Sequence, residues 1–342
     1  MKRYFVLNIS SFLILINLSA HAQFNYKASL EGGILNNKFG SSGSSTGFYG
    51  NLDGVMNYLY QDENKEANVQ LRIRPEIIGE VSASSFKTKA AGSYVQYEET
   101  YDWGINLSFQ KLLFNRDDYE IDYSVFSFVS NFSYFFESQL SADINAGYAY
   151  QTRAGTMQDD YDLIFMDMFL YNNFSRYVKG GLGLYFEGFW NVELYRELVT
   201  YNEIKNRGTK VGPQLSFYLL SDNTIQFQYR FNFVSSSITE FPSTENWVRI
   251  VAGKLLSDEW SIFGMMDYLF RSIKIDDIYS GTRELVFGPE NLENRIYLKL
   301  IYEPEENMEL YLKAGYFKEN FMASQMNFEG LSFVLGLEIN ND

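Results

Sequence analysis

The chain has 342 residues, no cysteine, and 28 basic against 43 acidic side chains, which gives a formal net charge of -15. The acidic balance argues against nucleic acid or an anionic membrane surface as a partner, and the lack of cysteine excludes disulfide bonds. Aromatic residues make up 18% of the chain, with 27 Tyr and 30 Phe, whereas Pro is scarce at 5.

The first 22 residues resemble a secretory signal. Lys2 and Arg3 precede an apolar run centred on residues 12–16, and Ala20-His21-Ala22 fits the small-residue cleavage site of such signals. We therefore expect a signal peptide at 1–22 and one mature domain at 23–342, beginning at Gln23. Removing the signal leaves 26 basic and 43 acidic residues, a charge near -17. No later run of about 18 apolar residues predicts a membrane helix.

The mature chain is predicted to be all-β. Residues 224–234 set the pattern, because Ile225, Phe227 and Tyr229 alternate with polar residues such as Gln226 and Gln228. Similar runs give fifteen predicted strands: 24–35, 48–61, 67–81, 94–114, 119–137, 139–153, 161–174, 180–197, 208–220, 224–234, 246–256, 260–271, 295–303, 308–318 and 331–339.

Strand length favours an antiparallel transmembrane β-barrel over the alternative, a large secreted sandwich or propeller. Most runs have about 10 to 18 residues, whereas strands of soluble proteins usually have about 5 to 6 and tilted membrane strands need about 9 to 11.

The connections between the predicted strands also alternate in length. Short turns such as 221–223 and 257–259 are expected at the periplasmic end, and longer loops at 198–207, 235–245, 272–294 and 319–330 are expected at the extracellular end.

Fifteen runs conflict with the even strand numbers of single-chain bacterial barrels. The run 119–137 is long enough to hide a hairpin near 128–131, which would give 16 strands. Alternatively, 24–35 lies outside the barrel, which would give 14. The sequence leaves both counts open.

The mature chain lacks the residues that most enzyme sites need. Its one histidine is His21, inside the predicted signal, which removes Ser-His-Asp and Cys-His arrangements and zinc sites of the usual type. No carboxylate spacing marks an acid and base pair. We therefore expect no enzyme activity, no metal site and no cofactor.

The candidate functional residues are charged side chains on the inward parity of the strands. They are Arg72, Arg74, Glu76, Asp143, Glu187, Glu193, Arg230, Asp267, Lys299, Glu309 and Lys313. A water-filled channel and a lumen filled by cross-strand ion pairs both fit this pattern, and inward aromatic residues such as Tyr185, Tyr297 and Tyr311 favour some occlusion. Because inward carboxylates outnumber inward cations outside the 72–76 segment, the sequence predicts cation preference.

The signal together with residues 182–194, 225–233, 296–302 and 331–339 resembles bacterial outer-membrane β-barrel proteins as a class. The last strand resembles their assembly signal, although it ends Ile339-Asn340-Asn341-Asp342 without a terminal Phe or Trp. The resemblance implies a Gram-negative outer membrane, contact with its lipid, and the barrel insertion machinery as a partner. The expected function is a porin-like passive channel for small polar solutes; the alternative is a non-conducting accessory barrel of a secretion, export or assembly complex, with its other subunits as partners.

Overall fold

The computed structural model describes residues 22–39, 45–78, 83–116, 119–136, 139–155, 158–196, 201–221, 223–275, 293–320 and 327–341. Within these ranges the chain forms sixteen β-strands. They are β1 (Ala22–Phe39), β2 (Ser45–Asp62), β3 (Lys65–Ile78), β4 (Ala83–Tyr97), β5 (Tyr101–Arg116), β6 (Tyr119–Phe135), β7 (Leu140–Gly155), β8 (Gln158–Ser175), β9 (Val178–Arg196), β10 (Tyr201–Leu220), β11 (Asn223–Ser236), β12 (Thr239–Leu255), β13 (Trp260–Ile275), β14 (Glu293–Glu305), β15 (Met308–Asn320) and β16 (Asn327–Asn340).

The strands close into one antiparallel barrel in which each strand pairs with its neighbours in the chain, and β1 pairs with β16. Leu30 lies opposite Leu337 across this seam. Asn341 also holds the seam, because its side chain accepts a hydrogen bond from the Tyr26 amide and its own amide donates to the Tyr26 carbonyl at 3.2 Å. Within the described residues every strand is paired on both sides, as a hydrocarbon environment requires.

The outer face of the barrel is apolar and exposed. On β16, Leu331, Phe333 and Leu335 are 63%, 57% and 60% exposed, whereas Val334, which points the other way, is 1% exposed. From Leu331 to Ile339 the strand spans about 27 Å at 3.4 Å per residue. A tilt of about 40° reduces this to roughly 20 Å, close to the ~25 Å apolar band of membrane barrels.

Exposed aromatic rings gather near the ends of the strands that short turns connect. Trp103, Tyr134 and Trp260 are 37%, 40% and 41% exposed, and the ring centroids of Trp260 and Tyr302 lie 4.8 Å apart. Amphipathic rings at this level form the interfacial girdle typical of membrane barrels. Within the described residues, no helix has the length and apolar content to cross a membrane.

The count of sixteen confirms the upper of the two predicted values but for a different reason. Strand β6 is continuous through 128–131, so the hidden hairpin was wrong, and β1 is a full barrel strand. The predicted strand 94–114 was wrong in its first part, because it joined the end of β4 to β5 across the turn at 98–100. The sequence missed the rest of β4, because its outward positions include Thr88, Ala90 and Gly92, which give little apolar contrast.

Strands extend well into two segments that the sequence assigned to loops. Strand β10 begins at Tyr201, and β11 and β12 run to Ser236 and from Thr239. The predicted loops 272–294 and 319–330 fall largely on residues 276–292 and 321–326, outside the described residues. Long strands, such as β10 with 20 residues, continue beyond the length that a bilayer requires.

Candidate functional site in the barrel interior

The inner face of the barrel is polar in composition yet largely buried. On β9, Leu182 and Leu184 point outward and are 69% and 55% exposed, whereas Tyr185, Glu187 and Phe189 point inward and are 2%, 4% and 1% exposed. Side chains lining a wide water-filled pore would remain solvated. In this part of the interior, protein atoms therefore replace water.

A buried ion-pair cluster, composed of Glu187, Lys210, Glu245 and Arg271, occupies one half of the interior. Lys210 Nζ lies 3.1 Å from Glu187 Oε1 and 3.1 Å from Glu245 Oε2. Arg271 Nε donates to Glu245 Oε1 at 2.8 Å. The Tyr185 hydroxyl donates to Glu187 Oε2 at 2.6 Å. Each carboxylate thus has more than one partner, which offsets the desolvation of charges that are 3–4% exposed.

Apolar side chains pack beside this cluster. Tyr161, Leu163, Phe189 and Ile238 are each 1% exposed and form one hydrophobic group with Ala149. The rings of Tyr161 and Phe189 stack with centroids 5.9 Å apart. This packing fills the part of the interior beside the loop-side halves of β7–β13.

Some interior rings lie flat on the barrel wall, over glycines of the next strand. A Cβ atom at Gly336 would lie 2.2 Å from Tyr311 Cζ, and one at Gly208 would lie 2.4 Å from Phe189 Cζ. The absence of a side chain at these glycines gives the rings their space. The aromatic residues therefore thicken the wall locally and do not all project toward the barrel axis.

The opposite half of the interior contains two cavities. The larger, of about 240 Å³, is the turn-side cavity, which lies toward the short turns. Its lining residues are Lys27, Ser29, Glu31, Asn51, Asp53, Val55, Arg72, Arg74, Arg295, Tyr297, Lys299, Tyr311, Lys313 and Glu338. The smaller, of about 110 Å³, is the loop-side cavity and reaches Leu35, Ser85 and Phe114.

The two cavities share part of their lining. Arg74, Arg295, Tyr297 and Lys313 contribute to both. Strand β1 passes from the turn-side cavity at Lys27 to the loop-side cavity at Leu35, so the cavities follow each other along the strand direction. A polar region therefore extends along the wall made by β1–β3 and β14–β16.

Three of the candidate residues on β3 are held by ion pairs at this wall. Arg72 pairs with Asp53 through two guanidinium nitrogens. Arg74 Nη2 lies 2.6 Å from Glu76 Oε1. The Ser85 hydroxyl donates to the other oxygen of Glu76 at 2.6 Å.

Three more candidates, on β14 and β15, lie on the same wall. Lys299 Nζ lies 3.1 Å from Glu309 Oε2. Lys313 Nζ pairs with Glu31, which also accepts a hydrogen bond from the Tyr311 hydroxyl at 2.8 Å. The structure thus brings six of the eleven sequence candidates to one region.

The remaining candidates lie elsewhere. Glu187 belongs to the buried ion-pair cluster. The Arg230 guanidinium carbon is 3.9 Å from the ring centroid of Tyr185, and Asp267 accepts a hydrogen bond from Trp247 Nε1 at 2.7 Å. Asp143 is half-buried on β7, apart from both groups. Glu193 falls in β9, but its side chain lies outside the described residues.

Sequence reasoning missed four charged residues that organise the interior: Glu31, Lys210, Glu245 and Arg295. Glu245 was assigned to a loop, and Lys210 was not singled out. Strand parity could have identified two of them. Residues two positions apart in a strand share a face, so Glu31 faces inward with Ser29, and Arg295 faces inward with Tyr297.

Comparison with known proteins gives a resemblance in fold. No protein-family model matches the chain. No curated protein matches it. Among solved structures, the siderophore receptor PirA from Pseudomonas aeruginosa matches at 7% identity and a TM-score of 0.39, over 94% of this chain and 80% of that one. CdiB from Acinetobacter baumannii matches at 10% identity and a TM-score of 0.47, over 93% of this chain and 60% of that one. The toluene transporter TodX from P. putida matches at 7% identity and a TM-score of 0.41, over 94% and 90%. The chain is a closed 16-stranded barrel that resembles outer-membrane barrel proteins as a class.

Proposed function

We propose that this protein is an outer-membrane transport barrel that passes small polar solutes along the wall formed by β1–β3 and β14–β16. The observation that carries the proposal is the pair of cavities that follow each other along this wall and share Arg74, Arg295, Tyr297 and Lys313. Sixteen strands suit a barrel with an aqueous interior. Because the interior beside the loop-side halves of β7–β13 is filled, the path is narrow and selects by size and charge.

The surface of the barrel supports an outer-membrane location. An apolar outer face with aromatic rings near the strand ends matches lipid and its two interfaces, and a contiguous apolar surface of this extent would be a liability in water. In the orientation we propose, the short turns face the periplasm. Outer-membrane lipid and the barrel insertion machinery are the proposed partners, and nucleic acid is not one.

Single-channel recording in planar bilayers tests this function. We expect the full chain to conduct small ions, with a conductance below that of wide porins because packed side chains fill part of the interior. Ser29→Trp, which places a large ring in the turn-side cavity, should reduce the conductance several-fold. The matched variant is Ala28→Trp, which places the same ring on the exposed outer face, where interfacial Trp is tolerated.

Two results would contradict the proposal. One is a correctly folded wild-type barrel, judged by heat-modifiable gel mobility, that never conducts. The other is an equal reduction of conductance by Ser29→Trp and Ala28→Trp.

A second candidate function is a non-conducting accessory barrel within a larger secretion, export or assembly complex. The observation in its favour is the filled half of the interior, where Tyr161, Phe189 and Lys210 are 1%, 1% and 3% exposed. Copurification of the intact chain from outer membranes with stoichiometric partner subunits, combined with absent conductance, would favour this function.

A further inference from the structure

Cationic side chains dominate the wall between the two cavities. Together, the cavities are lined by six cationic residues and four carboxylates. The cations are Lys27, Arg72, Arg74, Arg295, Lys299 and Lys313, and the carboxylates are Glu31, Asp53, Glu76 and Glu338. The lining of the two cavities therefore carries a formal excess of two positive charges, within a chain whose formal net charge is -15.

The strand register places like charges directly opposite each other on this wall. Three cross-strand pairs join two cations: Arg72 with Lys89, Arg74 with Lys87, and Lys299 with Lys313. Like charges in this position destabilise a sheet. Carboxylates offset part of this repulsion, because Asp53, Glu76, Glu309 and Glu31 each pair with a member of these pairs. A bound anion would offset more of it.

The hydrogen bonds of Arg74 leave part of its guanidinium group available. Its Nη2 contacts Glu76 at 2.6 Å, whereas its Nε is buried and has no hydrogen-bond partner among the described residues. Lys87 Nζ is also within 3.5 Å of Glu76, so this one carboxylate faces two cations. A buried donor on a charged group gains most from an anionic acceptor.

We propose that the junction of the two cavities, formed by Arg74, Arg295, Lys313 and Tyr297, is a binding site for a small oxyanion that carries a carboxylate or phosphate group. Guanidinium groups match the planar or tetrahedral oxygens of these anions, and an ammonium group adds a compact charge. A cavity of about 240 Å³ limits the ligand to a small solute. This inference deepens the proposed function, on which it rests for the role of the site in transport, and it reverses the cation preference that the sequence count predicted.

Equilibrium dialysis on the detergent-solubilised full chain tests the site without requiring conduction. The probes are radiolabelled inorganic phosphate and succinate at low ionic strength, in separate arms, so that the tighter ligand identifies the class. The variants are Arg295→Gln and Lys313→Gln, which remove one cation of the site and keep a polar side chain, with heat-modifiable mobility as the check on folding. Lys254→Gln is the matched control, because Lys254 is exposed and outside both cavities.

We expect wild-type protein to bind at least one probe, and each cavity variant to bind it about tenfold more weakly, with Lys254→Gln unchanged. Absence of binding of both probes would overturn the site, as would equal weakening by Lys254→Gln. Bilayer recordings separate this outcome from failure of the transport function. Binding without conductance leaves the site and removes the channel, whereas conductance without binding leaves the channel and removes the site.

Discussion

The buried ion-pair cluster provides the sharpest test of how the interior is stabilised. Lys210 Nζ lies 3.1 Å from carboxylate oxygens of both Glu187 and Glu245, and the three side chains are 4%, 5% and 3% exposed. Lys210→Met keeps the apolar stem but removes the charge that both carboxylates share. Breaking a buried pair in this way costs about 3–5 kcal/mol. We expect the lower end, because Arg271 and Tyr185 still serve the carboxylates.

The measurement is guanidinium-induced unfolding of the barrel in liposomes, followed by tryptophan fluorescence. Lys254→Met is the matched control and should change the free energy of unfolding by less than about 0.5 kcal/mol, as exposed substitutions usually do. The double variant Lys210→Met with Glu187→Gln should be more stable than the Lys210→Met single variant, because it removes one uncompensated buried charge. A loss below about 1 kcal/mol for Lys210→Met would refute the reasoning, as would simple additivity in the double variant.

Two further predictions concern the outer face and the N-terminus. Leu335→Arg puts a charge in the middle of the lipid-facing band and should destabilise the barrel by about 2–4 kcal/mol. Gln226→Arg, on the inner face and opposite the uncharged Tyr218 and Val251, should be mild, and equal loss of heat-modifiable mobility would contradict the assigned faces. Mass spectrometry of the protein extracted from outer membranes should give Gln23 as the first residue, and an uncleaved chain would contradict the predicted signal.

The sequence predicted the barrel because the lipid-facing pattern is local. Alternation at Ile225, Phe227 and Tyr229 reports directly which face a side chain occupies, and the confirmed class follows from repetition of that pattern. Most of strand β4 was missed because this local pattern is weak there. Lipid tolerates small outward residues such as Ala90 and Gly92, so the alternation there was too weak to recognise.

The arrangement of the interior could not be read in this way, because its contacts join residues that are distant in sequence. Lys313 contacts Glu31, which is 282 positions away in the sequence. Lys210 contacts Glu245 because β11 pairs with both β10 and β12, although the sequence assigned Glu245 to a loop. Parity gives the face of each residue. It does not give the strand register that decides whether opposite charges neutralise each other or like charges accumulate.

The separation of charge between the turn-side rim and the interior makes the anion site testable through its salt dependence. Exposed carboxylates crowd that rim: Asp62, Glu63, Glu98, Glu99, Asp258, Glu259, Glu303, Glu305 and Glu306. Screening acts over about 10 Å at 0.1 M salt and about 3 Å at 1 M, and it weakens exposed charges far more than the enclosed cations of the cavity wall. Reversal potentials under KCl gradients should therefore give an anion-to-cation permeability ratio that rises between 0.1 M and 1 M. Replacing Glu98 and Glu99 by Gln should raise the ratio at 0.1 M and leave it nearly unchanged at 1 M. A ratio that rises no further than 1 at 1 M would mean that the rim, and not the cavity wall, determines which ions pass, and a ratio that falls with salt would mean that the cations of the wall are not enclosed.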